Sequence, residues 1–341
     1  MVRGSAARTS FMAAGVSARA AALMTLATSA LWITACAPKS EQTPSITGAQ
    51  QTPEQLEEES EAAAKLFGEL ITRQNERVSR LGTFESRASL ELRYSDRDGA
   101  HFDQCEADIF LTHGARGALR ATKVGSNLLW VGSDGTRGWV FRLDKDPTSL
   151  TIFDSVETRV LGQALEGDGA LIFTMLAPSS VRALSGMQAL PEGASLLRVA
   201  EVPETAPLVE RFELEYQPFK GLTARMRFGT DGLPSSIRVL DRKGGLLLHA
   251  KLSEYERARA ENIAQGAWPQ VARRIEVDFE VEKFNARIFL DAPVAMGKRM
   301  KPRFFVLEEL IAQLHPDSIA HVLRPTATSD ADPGSSTGTN P

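Results

Sequence analysis

Histidine and cysteine are the side chains of this chain best suited to hold a metal ion. The sequence contains five histidines and two cysteines. His101, Cys105 and His113 lie closest together, near one predicted hairpin. Their spacing matches no common zinc site, and one thiol with two histidines is a weak ligand set. Surface histidines are the favoured interpretation, so the sequence predicts no metal site.

Serine and aspartate motifs do not form a catalytic set either. Gly132-Ser133-Asp134-Gly135 lacks the Gly-x-Ser-x-Gly pattern and no base is marked near it, so it is predicted to be a hairpin turn. Asp144-Lys145-Asp146 could bind a cation, but a solvated turn is favoured. No glycine-rich phosphate loop occurs. The sequence therefore predicts no catalytic residues and no cofactor, and it favours a protein that is not an enzyme.

Cys36 is the residue whose surroundings predict a specific covalent chemistry. Three arginines precede residues 20–35, which carry no charge. This layout is typical of a secretory signal and is short for a bilayer span of ~20 residues. The segment ends in Ile33-Thr34-Ala35-Cys36, which resembles the bacterial lipobox. That resemblance implies cleavage before Cys36 and attachment of lipid to its thiol; an ordinary signal peptide with a chance cysteine is the alternative.

Lipidation of Cys36 would have consequences for charge, partners and location. Without residues 1–35 the chain has 36 Lys and Arg against 43 Asp and Glu, a net charge of about −7, which argues against a nucleic-acid surface. Cys105 would have no disulfide partner, and the membrane partner would be reached through lipid. Ala37 follows the cysteine; the absence of Asp there favours the outer membrane, with the protein facing the periplasm.

Hydrophobic periodicity predicts the elements. Residues 36–53 are predicted to be a flexible tether, residues 54–324 one domain, and residues 325–341 a disordered tail. A helical stripe runs from Pro53 to about Arg80 and ends at Gly82. Beyond Gly82 the pattern alternates with hairpin spacing over roughly a dozen strands, interrupted by short helices near residues 169–184. Residues 302–314 are mixed, with a final strand and a short helix.

These elements predict a mainly β (α+β) fold. Hairpin connections favour one antiparallel sheet from about Thr83 to Leu290, and a sheet of this length curls. The curled sheet is expected to be an unclosed half-barrel, with the leading helix and the inserted helices covering its concave face.

Three stretches resemble the LolA/LolB-like superfamily of periplasmic lipoprotein carriers and receptors. They are residues 129–141, with a strand, an Asp-Gly turn and an aromatic strand; residues 232–239 followed by 245–255; and the late strand pair in residues 269–290. The likeness covers about residues 66–314. It implies a curved open sheet whose helices cover an apolar cavity, and a hydrophobic ligand such as a lipid or a lipoprotein acyl chain.

Six large apolar residues are candidates for lining such a cavity: Trp130, Trp139, Phe141, Phe212, Met226 and Phe228. For each of them a place in a plain core is the alternative. The hairpin around Asp134-Gly135 is expected in the middle of the sheet, with its aromatics facing the interior. Two functions stay open: a lipid-anchored protein that binds a hydrophobic ligand, or a non-enzymatic interaction lipoprotein with a filled core. The ligand, the protein partners and the oligomeric state stay unassigned.

Overall fold

The computed structural model describes residues 53–96, 99–112, 114, 116–144, 146–153, 176–219, 221–261, 263–280, 284–296 and 304–322. The predicted signal peptide, Cys36, the tether up to residue 52 and the tail from residue 325 lie outside this part of the chain. So do residues 169–175 of the predicted inserted helices.

Helix α1, Pro53–Leu81, covers one face of the sheet, which we call the inner face; the opposite face is the outer face. Its buried residues recur three or four positions apart, at Ala63, Phe67, Leu70, Gln74, Arg77 and Leu81, so they form one stripe along the helix. Gly82 follows with φ +46°, a conformation that glycine adopts without steric cost. The helix predicted from the sequence is confirmed to within one residue at its end.

Fifteen strands of the described residues form one sheet. They are β1 Thr83–Asp96, β2 Gly99–Leu111, β3 Gly117–Lys123, β4 Ser126–Ser133, β5 Gly138–Arg142, β6 Ser149–Phe153, β7 Ser195–Arg198, β8 Phe212–Phe219, β9 Leu222–Phe228, β10 Pro234–Leu240, β11 Leu246–Arg257, β12 Arg259–Ala260, β13 Gln270–Phe279, β14 Phe284–Met296 and β15 Ser318–Val322. Their order is β15-β6-β5-β4-β3-β2-β1-β14-β13-β11-β10-β9-β8-β7, with β12 beside β14.

This order confirms a single sheet that is not closed, because β15 and β7 lie at opposite edges. The central pair β1–β14 joins the two halves of the chain through antiparallel hydrogen bonds. Two pairings differ from the predicted antiparallel pattern: β15 runs parallel to β6, and β12 runs parallel to β14. The sheet also extends beyond Leu290, since β14 continues to Met296 and β15 follows the last helix.

The strand registers define two ends of the sheet. The β1–β2 and β3–β4 turns share one end, which we call the tip end. The β4–β5 and β9–β10 turns share the other end, where α1 joins β1; we call it the α1 end. Helix α2, Pro178–Leu184, contacts β2, β3 and β4 near this second end, where Pro178 lies against Gly117.

Both faces of the sheet carry buried apolar residues. The inner cluster spans the sheet and includes Phe67 and Leu70 of α1. The outer cluster is confined to β2–β6, where helix α4, Leu307–Leu314, covers it with Leu307 and Leu310. The short helix α3, Leu208–Arg211, precedes β8. In the described part of the chain, no helix is both long and apolar enough to cross a bilayer.

Candidate functional site: the cleft beside helix α1

Three of the six candidate residues meet on the inner face. Phe212, Met226 and Phe228 are at most 7 % exposed and pack beneath α1. The ring centroid of Phe67 lies 6.5 Å from that of Phe212 and 6.1 Å from that of Phe228, both in edge-to-face geometry. Such aromatic contacts stabilise beyond their buried area. These three side chains therefore fill the space between α1 and the sheet.

The other three candidates, Trp130, Trp139 and Phe141, lie on the outer face. In β5, Val140 belongs to the inner cluster, whereas Trp139 and Phe141 on either side belong to the outer one. Successive side chains of a strand point to opposite faces, so these aromatics cannot face the interior. The hairpin also lies toward the β15 edge and not in the middle of the sheet. Both expectations about the placement of this hairpin were wrong.

A glycine opposite Trp139 explains how the aromatic residues of the outer face pack. Trp139 pairs with Gly132 across the strands, and a Cβ added to Gly132 would come within 2.6 Å of the indole. The ring therefore occupies the space that a side chain would take. Phe304 then stacks on Phe110, with ring centroids 4.8 Å apart. The sequence signal for this arrangement is the apolar stretch 304–314, which needs an apolar surface outside the main core.

Two adjoining hollows open beside α1 at the α1 end. One, of about 270 Å³, is lined by Leu66, Leu70, Arg73, Pro207, Leu208, Val209 and residues 229–232. The other, of about 280 Å³, is lined by Glu58, Glu59, Ala62, Leu208 and Arg211. Because both include Leu208, we treat them as one site, the α1–α3 cleft. Each hollow is close to the lower limit of ligand sites, ~300–1,000 Å³.

The β9–β10 turn forms one wall of this cleft. Gly232 has φ +75°, and a Cβ there would meet Leu70 at 3.2 Å, so the turn backbone lies directly against α1. The Leu233 N–H donates to Asp231 Oδ1 at 3.0 Å, and the Gly229 N–H donates to the Leu233 carbonyl at 2.8 Å. These bonds fix the turn. Leu66, Leu208 and Val209, on α1 and α3, supply half-buried apolar surface beside it.

A partly buried ion pair closes the other end of the cleft. The Glu59 side chain is only 9 % exposed and lies 3.1 Å from Arg211 and 3.7 Å from Arg198. Arg198 also lies 3.5 Å from Glu204. A buried carboxylate needs such partners, because desolvation of an unpaired charge is costly. The pair ties the first turns of α1 to the end of β7 and to α3.

Three polar residues fasten the other half of α1, and we call them the α1 clasp: Gln74, Asn75 and Arg77. Gln74 Nε2 donates to the carbonyls of Gly186 and Gln188, and Asn75 exchanges two bonds with the backbone of Leu190. Arg77 donates to the carbonyls of Gly186 and Gln270 and to Gln74 Oε1. Burial lowers the pKa of the Arg77 guanidinium from its ordinary value.

The clasp was missed by the sequence analysis, although a signal was present. Gln74 and Arg77 continue the three-and-four spacing of Phe67, Leu70 and Leu81, so they fall on the stripe that faces the core. A polar residue on a buried stripe must have hydrogen-bond partners. The spacing alone therefore indicates buried polar contacts along this side of α1.

Ser133 and Cys105, which were considered for catalysis and metal binding, have structural roles, whereas His113 and Lys145 lie outside the described residues. Ser133 is 1 % exposed and its hydroxyl accepts the Gly135 N–H at 2.9 Å, so it shapes the turn. Burial is the main reason that the pKa of the Cys105 thiol rises to about 11, which keeps it protonated at neutral pH. Among the described residues, no three His, Cys, Asp or Glu side chains are grouped to hold a metal ion.

Comparison with known proteins gives likenesses of structure. No family model and no curated protein matches the chain. A LolA superfamily protein from Nitrosomonas europaea is 12% identical, with a TM-score of 0.44 over 70% of this chain and 97% of that one. A DUF1329 family protein from Desulfovibrio piger is 13% identical, with a TM-score of 0.42 over 71% and 96%.

A third solved structure is a putative outer membrane lipoprotein-sorting protein domain from Vibrio parahaemolyticus, 10% identical, with a TM-score of 0.41 over 69% of this chain and 94% of that one. The superfamily named by the first of these structures is the one that the sequence resembles.

Proposed function

We propose that this protein is a cell-envelope lipoprotein, anchored through lipid on Cys36, that binds an apolar chain such as a lipid acyl group in the α1–α3 cleft. The cleft is the observation that carries the proposal. Its half-buried Leu66, Leu208 and Val209 offer apolar surface, and Arg73 and Asp231 at its rim offer polar contacts to a headgroup. Sites of this kind combine an apolar lining with a few polar groups.

The anchor rests on the lipobox-like sequence, and the outer membrane, facing the periplasm, is the proposed location because Ala37 follows Cys36. Growth with an alkyne fatty acid should label the unaltered chain. Cys36→Ser should abolish that labelling, and equal labelling of both would refute the anchor. In this proposal residues 36–53 are the tether and residues 54–324 the binding domain.

The inner face sets a limit on how the ligand binds. Phe67, Phe212 and Phe228 are nearly inaccessible to solvent, so an acyl chain would lie along the cleft beside α1 and not deep in the sheet. This filled core specifically favours the second candidate function, a non-enzymatic interaction lipoprotein that acts through protein contacts. The two functions differ in a single measurable property, which is affinity for an apolar chain.

Titration with a dansyl-labelled fatty acid tests the binding function. Leu208→Glu places a charge where both hollows meet and should weaken binding at least tenfold, about 1.4 kcal/mol. Ile319→Glu makes the same kind of change on the exposed strand β15 and should leave affinity unchanged. If the unaltered chain does not bind the probe, the interaction function replaces the binding function. Equal effects of the two variants would move the site away from the cleft.

A further inference from the structure

Two rows of polar side chains cross the outer face of β8–β11, on the opposite side of the sheet from α1. The inner cluster includes residues of all four strands: Leu214, Met226, Ile237 and Ala250. The residues directly before and after each of these four therefore point outward. One row consists of Glu215, Arg225, Arg238 and His249, and the other of Glu213, Arg227, Ser236 and Lys251. With His249 neutral, the rows hold four cations and two carboxylates, although the chain has a formal net charge of −4.

One buried carboxylate serves three guanidinium groups in these rows. Glu213 is 3 % exposed, and its Oε2 lies 3.4 Å from Arg227 Nε and 2.5 Å from Arg238 Nη2. Its Oε1 lies 3.8 Å from Arg225 Nε, which donates to Glu215 at 2.8 Å. Arg225 and Arg238 are directly opposite each other in the register, where like charges repel. The two carboxylates therefore leave an excess of positive charge on this part of the face.

The cations that keep unused donors are those around Ser236. Arg227 uses only Nε in its contact with Glu213, and Lys251 forms no ion pair with a described residue. Ser236 lies between Arg227 and Lys251 in its row, at a register shift in β10. Such bulges redirect side chains and are frequent next to functional sites. Because serine is short, the longer side chains of Arg227, Arg238 and Lys251 can surround a small ligand above it.

The adjoining part of the outer face, on β13 and β14, has balanced charges. Arg274 lies 2.7 Å from Glu276 and 3.4 Å from Glu254. Arg287 lies 2.9 Å from Glu276 and 3.7 Å from Glu91. A solvated polar face can thus be built in this fold with carboxylates on both sides of each arginine. The cationic excess around Ser236 is a local departure from that arrangement, and an anionic ligand would complete it.

His249, at the end of the first row, experiences this positive potential. Burial is the main cause that lowers its pKa, and Lys251, Arg238 and Arg227 lower the pKa further. Asp278, opposite His249 on β13, acts against them without reversing the direction. The cations around Ser236 therefore act together on a neighbouring group, as they would on a bound anion.

We propose that Arg227, Arg238 and Lys251 bind a phosphate group above Ser236. The planar guanidinium groups present pairs of donors to phosphate oxygens, Lys251 adds a compact charge, and the Ser236 hydroxyl adds a donor. Free phosphate and a phosphate ester, such as a lipid headgroup, share this chemistry. The site lies on the opposite face from α1 and goes beyond the proposed function.

Calorimetric titration of the full chain with Cys36→Ser tests the site with inorganic phosphate and with glycerol 3-phosphate. Lys251→Gln and Arg227→Gln should each weaken phosphate binding about fivefold, equivalent to about 1 kcal/mol. Lys251→Gln should leave the thermal midpoint unchanged, since this exposed side chain has no carboxylate partner among the described residues. Tighter binding of glycerol 3-phosphate would assign the site to a phosphate ester, and tighter binding of phosphate to the free ion.

Arg120→Gln is the matched control on the same face. Arg120 is paired with Asp108 and lies on β3, five strands from Lys251 on β11, about 24 Å at ~4.8 Å per strand. In ~0.1 M sodium chloride, charges more than ~10 Å apart are largely screened, so this variant should bind phosphate unchanged. No binding of either probe, or equal losses in Arg120→Gln and Lys251→Gln, would overturn the proposal.

The His249 imidazole supplies an independent measurement. Phosphate held beside Arg238 should raise the pKa of His249, because an anion offsets the cations that face the ring. The midpoint of its NMR pH titration measures this, with the signal identified by its loss in His249→Gln and with sodium chloride at equal ionic strength as the control. An unchanged midpoint at saturating phosphate would place the anion elsewhere and refute the site. Fatty-acid binding in the α1–α3 cleft is measured separately, so either proposal can fail alone.

Discussion

The two faces of the sheet are covered by helices in different ways. On the inner face, α1 extends across the sheet from the start of β1 to the neighbourhood of Arg211 beside β8. On the outer face, the apolar cluster that α4 covers is confined, among the described residues, to β2–β6. Beyond α4 the outer face is charged: Glu213 is 3 % exposed and lies within reach of Arg225, Arg227 and Arg238. Only the inner cover should therefore be essential to the whole fold.

The largest expected effect comes from helix α1, which covers the inner face. Phe67→Ala removes the ring that contacts both Phe212 and Phe228, and it should lower the free energy of unfolding by about 3–5 kcal/mol. Phe304 on the outer face is only half-buried. Phe304→Ala should therefore lower the free energy of unfolding by only about 1–2 kcal/mol. Denaturant unfolding of both variants gives the comparison.

Equal losses in the two variants would contradict the difference between the faces. A lower m-value for Phe304→Ala alone would also be informative. It would mean that the outer cover unfolds separately from the sheet, since m scales with the surface exposed on unfolding.

Comparison of the two faces also separates what the sequence predicted from what it did not. Helix α1, the turn at Asp134-Gly135 and the open sheet followed from periodicity and turn residues, which are local signals. The face on which Trp139 lies could not be predicted in this way. Alternation shows which residues of a strand share a face, but it does not show which face a helix covers. Both neighbours of Val140 are large and apolar, so β5 is buried on both sides and its pattern is ambiguous.

The candidate site was less predictable than the fold. Its walls come from α1, α3 and the β9–β10 turn, which are distant in sequence and approach only through the sheet order. Leu66 and Leu70 belong to a helical stripe that the sequence shows, but Leu208 has no such pattern. The ion pair of Glu59 with Arg211 likewise depends on tertiary contact, because an acidic run in the first turns of a helix is typical of a solvated face.

The second prediction concerns how α1 is fastened. Arg77→Met removes donors from the carbonyls of Gly186 and Gln270 and should cost about 2 kcal/mol. The loss of the hydrogen bonds to these carbonyls should outweigh the gain from no longer burying a charged group. Arg73→Met, one turn earlier and exposed, should change the unfolding free energy by less than about 0.5 kcal/mol. A neutral or stabilising Arg77→Met would mean that the guanidinium costs as much in desolvation as its hydrogen bonds return.

The smallest expected effect is a pH dependence of the contacts that hold helix α4 on the outer face. Arg137 links the β4–β5 turn to α4, with its Nη2 3.1 Å from Asp134 and 2.9 Å from Glu308. Burial opposes ionisation of Asp134, but the backbone N–H groups of Arg137 and Thr136 hold its pKa below the ordinary value. A backbone hydrogen bond and Arg137 lower the pKa of Glu308 as well.

Carboxylates with lowered pKa values stabilise the folded state above their unfolded values, about 3.9 for Asp and 4.3 for Glu, and lose that contribution as pH falls through their folded values. Glu308→Gln should therefore flatten the fall in stability between about pH 5 and pH 3, where the unaltered chain loses the Arg137 link. The difference should stay below about 1 kcal/mol, since the Glu308 side chain is 66% exposed and solvent screens the pair. Glu309→Gln, on the same helix and also exposed, is the matched control and should follow the unaltered chain. Denaturant midpoints at three pH values would show this, and parallel pH profiles for all three proteins would mean that packing of Leu307 and Leu310 alone holds α4 on the outer face.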